Sequence, residues 1–270
     1  MDECYMQEGM RLFLLGALQG ITEFLPVSSS AHLALLPQFL NWQDQGQGVD
    51  VFLNVGTLGV LFLYLFKEMR AFIKGGLDVV RRRTTSNRFF FLKVLIAALP
   101  VIVVGGIVEI FFESRLNNPV LLAGTTALFS IILLGGDRTP QRAASLHYQG
   151  SFTEAFLIGC AQIFSLIPGA SRLGVCLSAM RFLGYDRIEA FRFSMLLSIP
   201  PVMGALTLKS VKVVMHATVL PWGAIMGGCI AAFVCGMLTF KGASYWISKG
   251  GTLTPFVVYR FFLAVLMFIL

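Results

Sequence analysis

Apolar residues run through this chain in long stretches, and the places where they stop are as regular as the stretches themselves. Six of them, near 50–67, 88–108, 118–135, 189–208, 217–240 and 253–270, are long enough to cross a bilayer, which takes about 17 to 25 helical residues. Two more, 10–35 and 153–184, break midway at Pro26 and at Pro168-Gly169, with polar residues directly after each break. A proline ends a helix, and polar groups after it at membrane depth predict a re-entrant hairpin: a helix in, a turn, and a helix back out. The pattern predicts an all-α polytopic membrane protein with six transmembrane helices plus two re-entrant helical hairpins, all in one membrane domain covering 1–270.

Charged residues orient these elements. Between 67 and 93 lie Lys67, Arg70, Lys74, Arg81, Arg82, Arg83, Arg88 and Lys93 against only Glu68 and Asp78, which places that loop in the cytoplasm. Counting crossings from there, the first hairpin enters from the outer side. Residues 109–117, with Glu109 and Glu113, lie outside, and 136–152, with Arg138 and Arg142, lie inside. The second hairpin enters from the cytoplasm and returns to Arg181, Arg187 and Arg192. One loop fits this scheme less well, because Lys209, Lys212 and His216 fall outside.

The two halves also resemble each other. Phe13-Leu-Leu-Gly16-Ala-Leu-Gln19 aligns with Phe156-Leu-Ile-Gly159-Cys-Ala-Gln162, 143 positions later. Each match opens a hairpin followed by three spans, an odd number of crossings, so the second copy is predicted upside down relative to the first. This is an inverted-topology repeat, of about 10–140 and about 153–270, whose functional site lies near the midplane where broken helices meet.

Composition agrees: 56% of the 270 residues are hydrophobic, 13% are charged, and mean hydropathy is +0.78. The net charge of +7 resides in short basic runs between apolar segments, so it reads as topology signal and no nucleic-acid partner is predicted. Cys4, Cys160, Cys176, Cys229 and Cys235 form no CxxC pair, which argues against a disulfide framework or a zinc site. Asp2, Glu3 and Glu8 before the first apolar stretch have the wrong sign for a cleaved signal peptide.

The chemistry lies at the two breaks. Gln19 and Glu23 are four residues apart, on one helix face, just before Pro26. After it, Ser28, Ser29 and Ser30 start the returning helix with His32 in its first turn. Unpaired N–H groups and the positive dipole end make such a start an anion site. Pro168-Gly169-Ala-Ser171-Arg172 repeats the device: Gly169 permits close backbone approach, and Arg172 offers a planar fork of donors suited to phosphate oxygens. Glu23 reads as a metal ligand or proton acceptor, against the alternative of pairing with a structural cation. His32 reads as a proton-exchanging group, against a satisfied core histidine. Ser28 and Ser30 read as caps or donors, while Ser29, or Ser171 beside Arg172, suits direct contact with a phosphate. Gln19, Asn54 and Gln162 can equally serve as bonds between helices, and Arg260 is deep for a snorkelling residue.

Gln19 through His32 satisfies without a gap the first motif of the undecaprenyl-diphosphate phosphatase family, Glu/Gln-Gly-x-Thr-Glu-Phe-Leu-Pro-Val-Ser-Ser-Ser/Thr-x-His. The chain resembles this bacitracin-resistance type of bacterial inner-membrane enzyme over nearly its full length. The second motif, Pro-Gly-x-Ser-Arg-Ser-Gly-x-Thr, is met by Pro168 through Cys176 except that Leu173 replaces a serine and Cys176 a threonine. Gln19 takes a position often held by glutamate. The resemblance implies hydrolysis of undecaprenyl diphosphate to undecaprenyl phosphate and inorganic phosphate, recycling the lipid carrier for cell-wall synthesis and conferring bacitracin resistance. It also implies a divalent cation, Mg2+ or Ca2+, held by Glu23 with Gln19, and an active site facing the periplasm. Catalysis would fall to Glu23, Ser29, His32 and Arg172, and substrate binding to Ser28, Ser30, Gly169, Ser171 and Arg172. Either Ser29 attacks phosphorus with His32 taking its proton, or His32 and Glu23 activate water. The missing hydroxyls at 173 and 176 predict weaker phosphate binding or altered substrate preference. A homodimer is left open.

The competing reading is a transporter or flippase of polyprenyl phosphate, since inverted repeats with broken helices are a transport architecture. Carrying an anion needs Arg172 and helix dipoles but not His32 with Glu23. The other large class of membrane lipid phosphatases is excluded because no Lys-x6-Arg-Pro occurs, and an intramembrane serine protease because no Gly-x-Ser-Gly occurs.

Overall fold

The computed structural model describes residues 2–111, 118–141, 150–217 and 220–269. Within them the chain forms eleven α-helices: α1 (Asp2–Glu23), α2 (Ser29–Phe39), α3 (Gly46–Tyr64), α4 (Phe66–Val80), α5 (Ser86–Phe111), α6 (Pro119–Arg138), α7 (Phe152–Ile163), α8 (Arg172–Phe182), α9 (Arg187–Met215), α10 (Trp222–Ser248) and α11 (Thr254–Ile269). No strand occurs among the described residues.

Five of these helices are long and apolar enough to cross a membrane: Gly46–Tyr64, Ser86–Glu109, Pro119–Arg138, Arg187–Met215 and Trp222–Ser248. The sixth expected span, 253–270, is the 16-residue α11. At about 1.5 Å per residue it rises about 24 Å, less than the roughly 30 Å hydrocarbon core. The expected span at 217–240 is displaced, since α10 starts only after Pro221 and continues to Ser248. A second correction concerns 67–93, read as a loop: its first half folds as α4. Glu113 and Arg142, used above to orient two loops, lie outside the described residues.

Both breaks fall where proline dictates. Pro26 has no N–H to donate and disfavours a helical Leu25, so α1 stops at Glu23 and the chain restarts at Ser29. Ser28 sits between them at φ 74° and its hydroxyl oxygen accepts the Ala31 N–H at 3.4 Å. Pro168-Gly169 ends the first arm of the other interrupted stretch. There Ser171, at φ 69°, caps α8 by accepting the Gly174 N–H at 3.2 Å.

Small residues let the broken arms pack backbone to backbone. α1 lies on α10, where a Cβ on Gly16 would stand 2.0 Å from the Gly228 carbonyl oxygen. α7 lies on α5, where a Cβ on Gly159 would stand 2.4 Å from the Ala97 carbonyl oxygen. Close approach of this kind supplies dispersion contact where no hydrophobic driving force exists between helices. α11 packs on α6, and α6 on α8. Phe24, fully buried at the first break, meets Phe240 edge-on at 5.5 Å between ring centroids. Phe240 in turn stacks on Tyr64 at 4.6 Å. Outward, Met226, Ile230, Val234 and Leu238 form an exposed stripe at four-residue spacing along α10. A contiguous apolar surface of that kind suits lipid rather than water.

Polar ties close the two ends. Asp137, at the end of α6, accepts from Arg187 Nε at 2.5 Å and from the Leu253 N–H at 2.9 Å, joining the starts of α9 and α11. Lys209 and Lys212 both donate to Glu109 Oε1, at 2.7 and 2.8 Å. The carboxylate thus offsets the basic residues that fitted the orientation scheme least well.

Candidate active site

The last turn of α1 and the first of α2 face each other across the Pro26 break. Ser29 donates its hydroxyl to Glu23 Oε2 at 2.6 Å, and Gln19 Nε2 donates to the same oxygen at 3.0 Å. Gln19 Nε2 also reaches Asn54 Oδ1 on α3 at 2.8 Å, which fixes its amide orientation. Arg172, the first residue of α8, brings Nη1 to 3.8 Å from Glu23 Oε1. That nitrogen has no hydrogen-bond partner, although its side chain is only 30% exposed. The result is a hydroxyl aimed at a carboxylate, with an uncommitted guanidinium nitrogen beside them.

Beneath this cluster one residue holds both breaks together. Arg260 is fully buried at the middle of α11, and its fork of donors is completely used. Nη1 reaches the carbonyls of Pro26 at 3.1 Å and Ala170 at 3.3 Å. Nη2 reaches Gly169 at 3.0 Å, Ala170 at 3.2 Å and Thr126 at 3.3 Å, and Nε donates to Ser130 Oγ at 2.8 Å. Carbonyls of Pro26, Gly169 and Ala170 at the two breaks therefore converge, with that of Thr126 on α6, on one cation, which satisfies them where water is scarce. Thr125 adds a bond to the Pro168 carbonyl at 2.7 Å. Gly169, at φ 89°, has no room for a side chain, since a Cβ would fall 2.4 Å from Thr125 Oγ1.

The predicted site residues thus divide. Gln19, Glu23, Ser29 and Arg172 come together. Ser28 and Ser171 spend their oxygens as caps, and the exposed Ser30 lies 3.2 Å from Ser28 Oγ. His32 turns away from Ser29: its Nδ1 donates to the Ser28 carbonyl at 2.8 Å, leaving Nε2 to accept from the Tyr259 hydroxyl at 2.7 Å. In this conformation the Ser29 hydroxyl is hydrogen-bonded to Glu23, and both ring nitrogens of His32 are engaged elsewhere. Tyr259 was not legible as a site neighbour, because it is an ordinary amphipathic residue on an apolar helix 227 positions away. Removing its hydroxyl in Tyr259→Phe frees His32 Nε2; a less than tenfold fall in turnover is expected, of the order of one lost hydrogen bond, read as kcat in a steady-state assay.

Gln162, the counterpart of Gln19, is fully buried and neither end of its amide has a hydrogen-bond partner. Leu173 and Cys176 belong to the hydrophobic core, at 4% and 0% exposure. Both are packed among apolar side chains at the start of α8.

Two oxygen donors of the kind hard divalent cations take, from Glu23 and Gln19, lie side by side. Mg2+ typically takes one or two carboxylates and completes its shell with substrate oxygens and water. Glu23 supplies a carboxylate, and the neighbouring Gln19 Oε1 is a buried carbonyl oxygen without a partner. No group of three or more His, Cys, Asp or Glu able to hold a metal unaided occurs among the described residues.

Fold and site together define a multi-span helical membrane protein with a hydroxyl, carboxylate and guanidinium centre where two broken helices meet. Residues 12–266 match the family of bacitracin resistance protein BacA, and the chain belongs to that family. It is 40% identical over 253 residues to undecaprenyl-diphosphatase of Alcanivorax borkumensis, covering 93% of this chain and 95% of that one. It is 38% identical to the Teredinibacter turnerae undecaprenyl-diphosphatase, covering 96% and 98%. Against that of Idiomarina loihiensis it is 33% identical, covering 97% and 98%.

Proposed function

We propose that this protein hydrolyses undecaprenyl diphosphate to undecaprenyl phosphate and inorganic phosphate, returning a lipid carrier to cell-wall synthesis and conferring bacitracin resistance. Membership in a family of near-full-length undecaprenyl-diphosphatases supports the reaction, and the observation that carries it to this site is the Ser29 hydroxyl bonded to Glu23 beside Arg172. A lipid diphosphate brings several negative charges, so the site's chief task is to position it and stabilise charge on the transferring group.

Arg172 and the N-termini of α2 and α8 hold the phosphate oxygens. Ser29 Oγ attacks the terminal phosphorus as its proton passes to Glu23 Oε2. The bond from that phosphorus to the bridging oxygen breaks, and undecaprenyl phosphate leaves with the electron pair. Glu23 gives that proton up to the departing undecaprenyl phosphate, water then attacks the phosphoserine phosphorus as Glu23 accepts the water's proton, and the proton returns to Ser29 Oγ as the Ser29–phosphorus bond breaks and inorganic phosphate leaves. Glu23 and Gln19 would also hold a divalent cation, Mg2+ or Ca2+, whose chemistry is charge neutralisation on the diphosphate. A purely transporting role is not favoured, since moving an anion needs no hydroxyl aimed at a carboxylate.

The inverted-repeat reading, with six spans and two hairpins, draws support from pairs 143 positions apart: Gly16 and Gly159 each pack on a neighbouring backbone, and Ser28 and Ser171 each cap a restarted helix at positive φ. The basic residues of 67–93 favour an inner-membrane placement with this segment cytoplasmic and the first hairpin opening to the periplasm. The reading calls for no nucleic-acid partner and is compatible with a homodimer.

The test is phosphate release from undecaprenyl diphosphate by purified protein, wild type against Arg172→Ala, with and without EDTA. Metal-dependent release that falls about a hundredfold or more in the variant is expected. No release from folded wild-type protein overturns the proposal.

A further inference from the structure

α4 carries a dense set of charges that the active site does not use. It is markedly amphipathic, and its faces are sorted into three. Gly75 packs against α5, where a Cβ would stand 2.1 Å from the Asn87 carbonyl oxygen, and Phe72 meets Phe91 at 4.8 Å. A second edge exposes Phe66, Ile73, Leu77 and Val80, at 59, 57, 47 and 80%. Between that apolar edge and α5 runs a basic edge of Lys67, Arg70 and Lys74, which with Ala71 and Asn87 line a cavity of about 240 Å³.

The nearby acids are committed elsewhere. Glu68 pairs with Arg192 at 2.5 Å, and Asp78 accepts from Thr85 at 2.7 Å. Among the described residues no carboxylate pairs with Lys67, Arg70 or Lys74. Arg81, Arg82 and Arg83 extend the exposed positive charge at the helix end. An exposed apolar edge flanked along its length by a basic one is the geometry of a helix lying in the membrane interface, its hydrocarbon side down and its cations at headgroup level.

We propose that α4 and the start of α5 form a binding site for the phosphate headgroup of an anionic phospholipid, with Lys67, Arg70 and Lys74 holding the phosphate and Phe66, Ile73 and Leu77 lying on its acyl chains. The inference rests on the membrane placement of the chain and not on its hydrolytic activity, so the two fail separately.

Detergent-purified protein is mixed with phosphatidylglycerol, with phosphatidylcholine of the same chain length, or with inorganic phosphate, and retained molecules are counted by native mass spectrometry. Wild type is expected to retain phosphatidylglycerol over phosphatidylcholine. The triple variant Lys67→Gln, Arg70→Gln, Lys74→Gln is expected to hold phosphatidylglycerol roughly a hundredfold more weakly, from about fivefold per lost interfacial charge. Lys67→Arg with Lys74→Arg is expected to retain it. Equal retention of phosphatidylcholine, unaltered phosphatidylglycerol retention by the triple variant, or displacement of the lipid by equimolar inorganic phosphate would each overturn the proposal. All three side chains are exposed, and an unchanged elution profile and melting temperature establish that the variant is folded.

Discussion

Glu23→Gln is expected to lower turnover by about a thousandfold while the protein still folds. The side chain keeps its size and can still meet Gln19 and Ser29 through its amide. What it loses is the capacity to accept a proton from the Ser29 hydroxyl, now 2.6 Å from a carboxylate oxygen, and the charge that pairs with Arg172. Loss of the proton acceptor belongs to the chemical step and should appear in kcat, while a rise in KM reports a weakened hold on the divalent cation that Glu23 is proposed to share with Gln19. Steady-state phosphate release across substrate concentrations separates the two. A Glu23→Gln enzyme with near-wild-type kcat rules out Glu23 as the proton acceptor. Rapid quench of the wild type during turnover is expected to trap a phosphoserine at position 29. Sustained turnover by Ser29→Ala would assign the attack to water instead.

The second large effect lies farther from the chemistry. Arg260→Ala leaves the carbonyls of Pro26, Gly169, Ala170 and Thr126 without their shared donor in a region closed to water. Leaving a buried carbonyl without a donor costs about 1 to 3 kcal/mol, and several are orphaned here together. Turnover falls with it, because the turns that present Ser29 and Arg172 are no longer tied to each other. Lysine at this position keeps the charge but not the planar fork, and a single ammonium cannot reach both turns. Arg260→Lys should therefore fold and melt lower than wild type, with kcat reduced. Thermal unfolding in detergent alongside phosphate release checks both. Wild-type melting and turnover in Arg260→Ala would show that the two turns hold their places without it, and Ser130→Ala, which removes one partner of Arg260, provides a milder variant if the alanine form does not accumulate.

The parts of this architecture legible in the sequence were those governed by local rules. Pro26 and Pro168 terminate helices by their own covalent structure, and Gln19 and Glu23 share a face because of helix periodicity. Ser29 and Arg172 could be singled out because polar groups in apolar surroundings are expensive. What the sequence left open depends on contacts between distant segments. Nothing local to His32 says that its ring turns to Tyr259. Nothing local to Arg260 says that its donors serve two separate turns, only that an arginine amid Val257, Tyr259 and Phe261 needs partners. Nothing local to Leu173 and Cys176 says how deeply they are packed, which depends on the core residues brought against them. α4 is masked for another reason: its dense positive charge reads as a topology signal and covers the apolar period at Phe66, Ile73, Leu77 and Val80.

Ser28 and Ser171 hold the same unusual backbone angle, and each is followed by the first residue of a helix. In one arm that residue is Ser29 and in the other Arg172, again 143 positions apart. The supporting turn is alike in both, so what differs between the arms is the cargo mounted on it: a group that can form a bond to phosphorus on one side, a group that can only attract phosphorus-bound oxygen on the other. Division of labour within the centre is thereby reduced to the choice of one side chain per arm. The arms are consequently separable by exchange: an arginine moved to position 29 or a serine to position 172 tests cargo without rebuilding the turn beneath it.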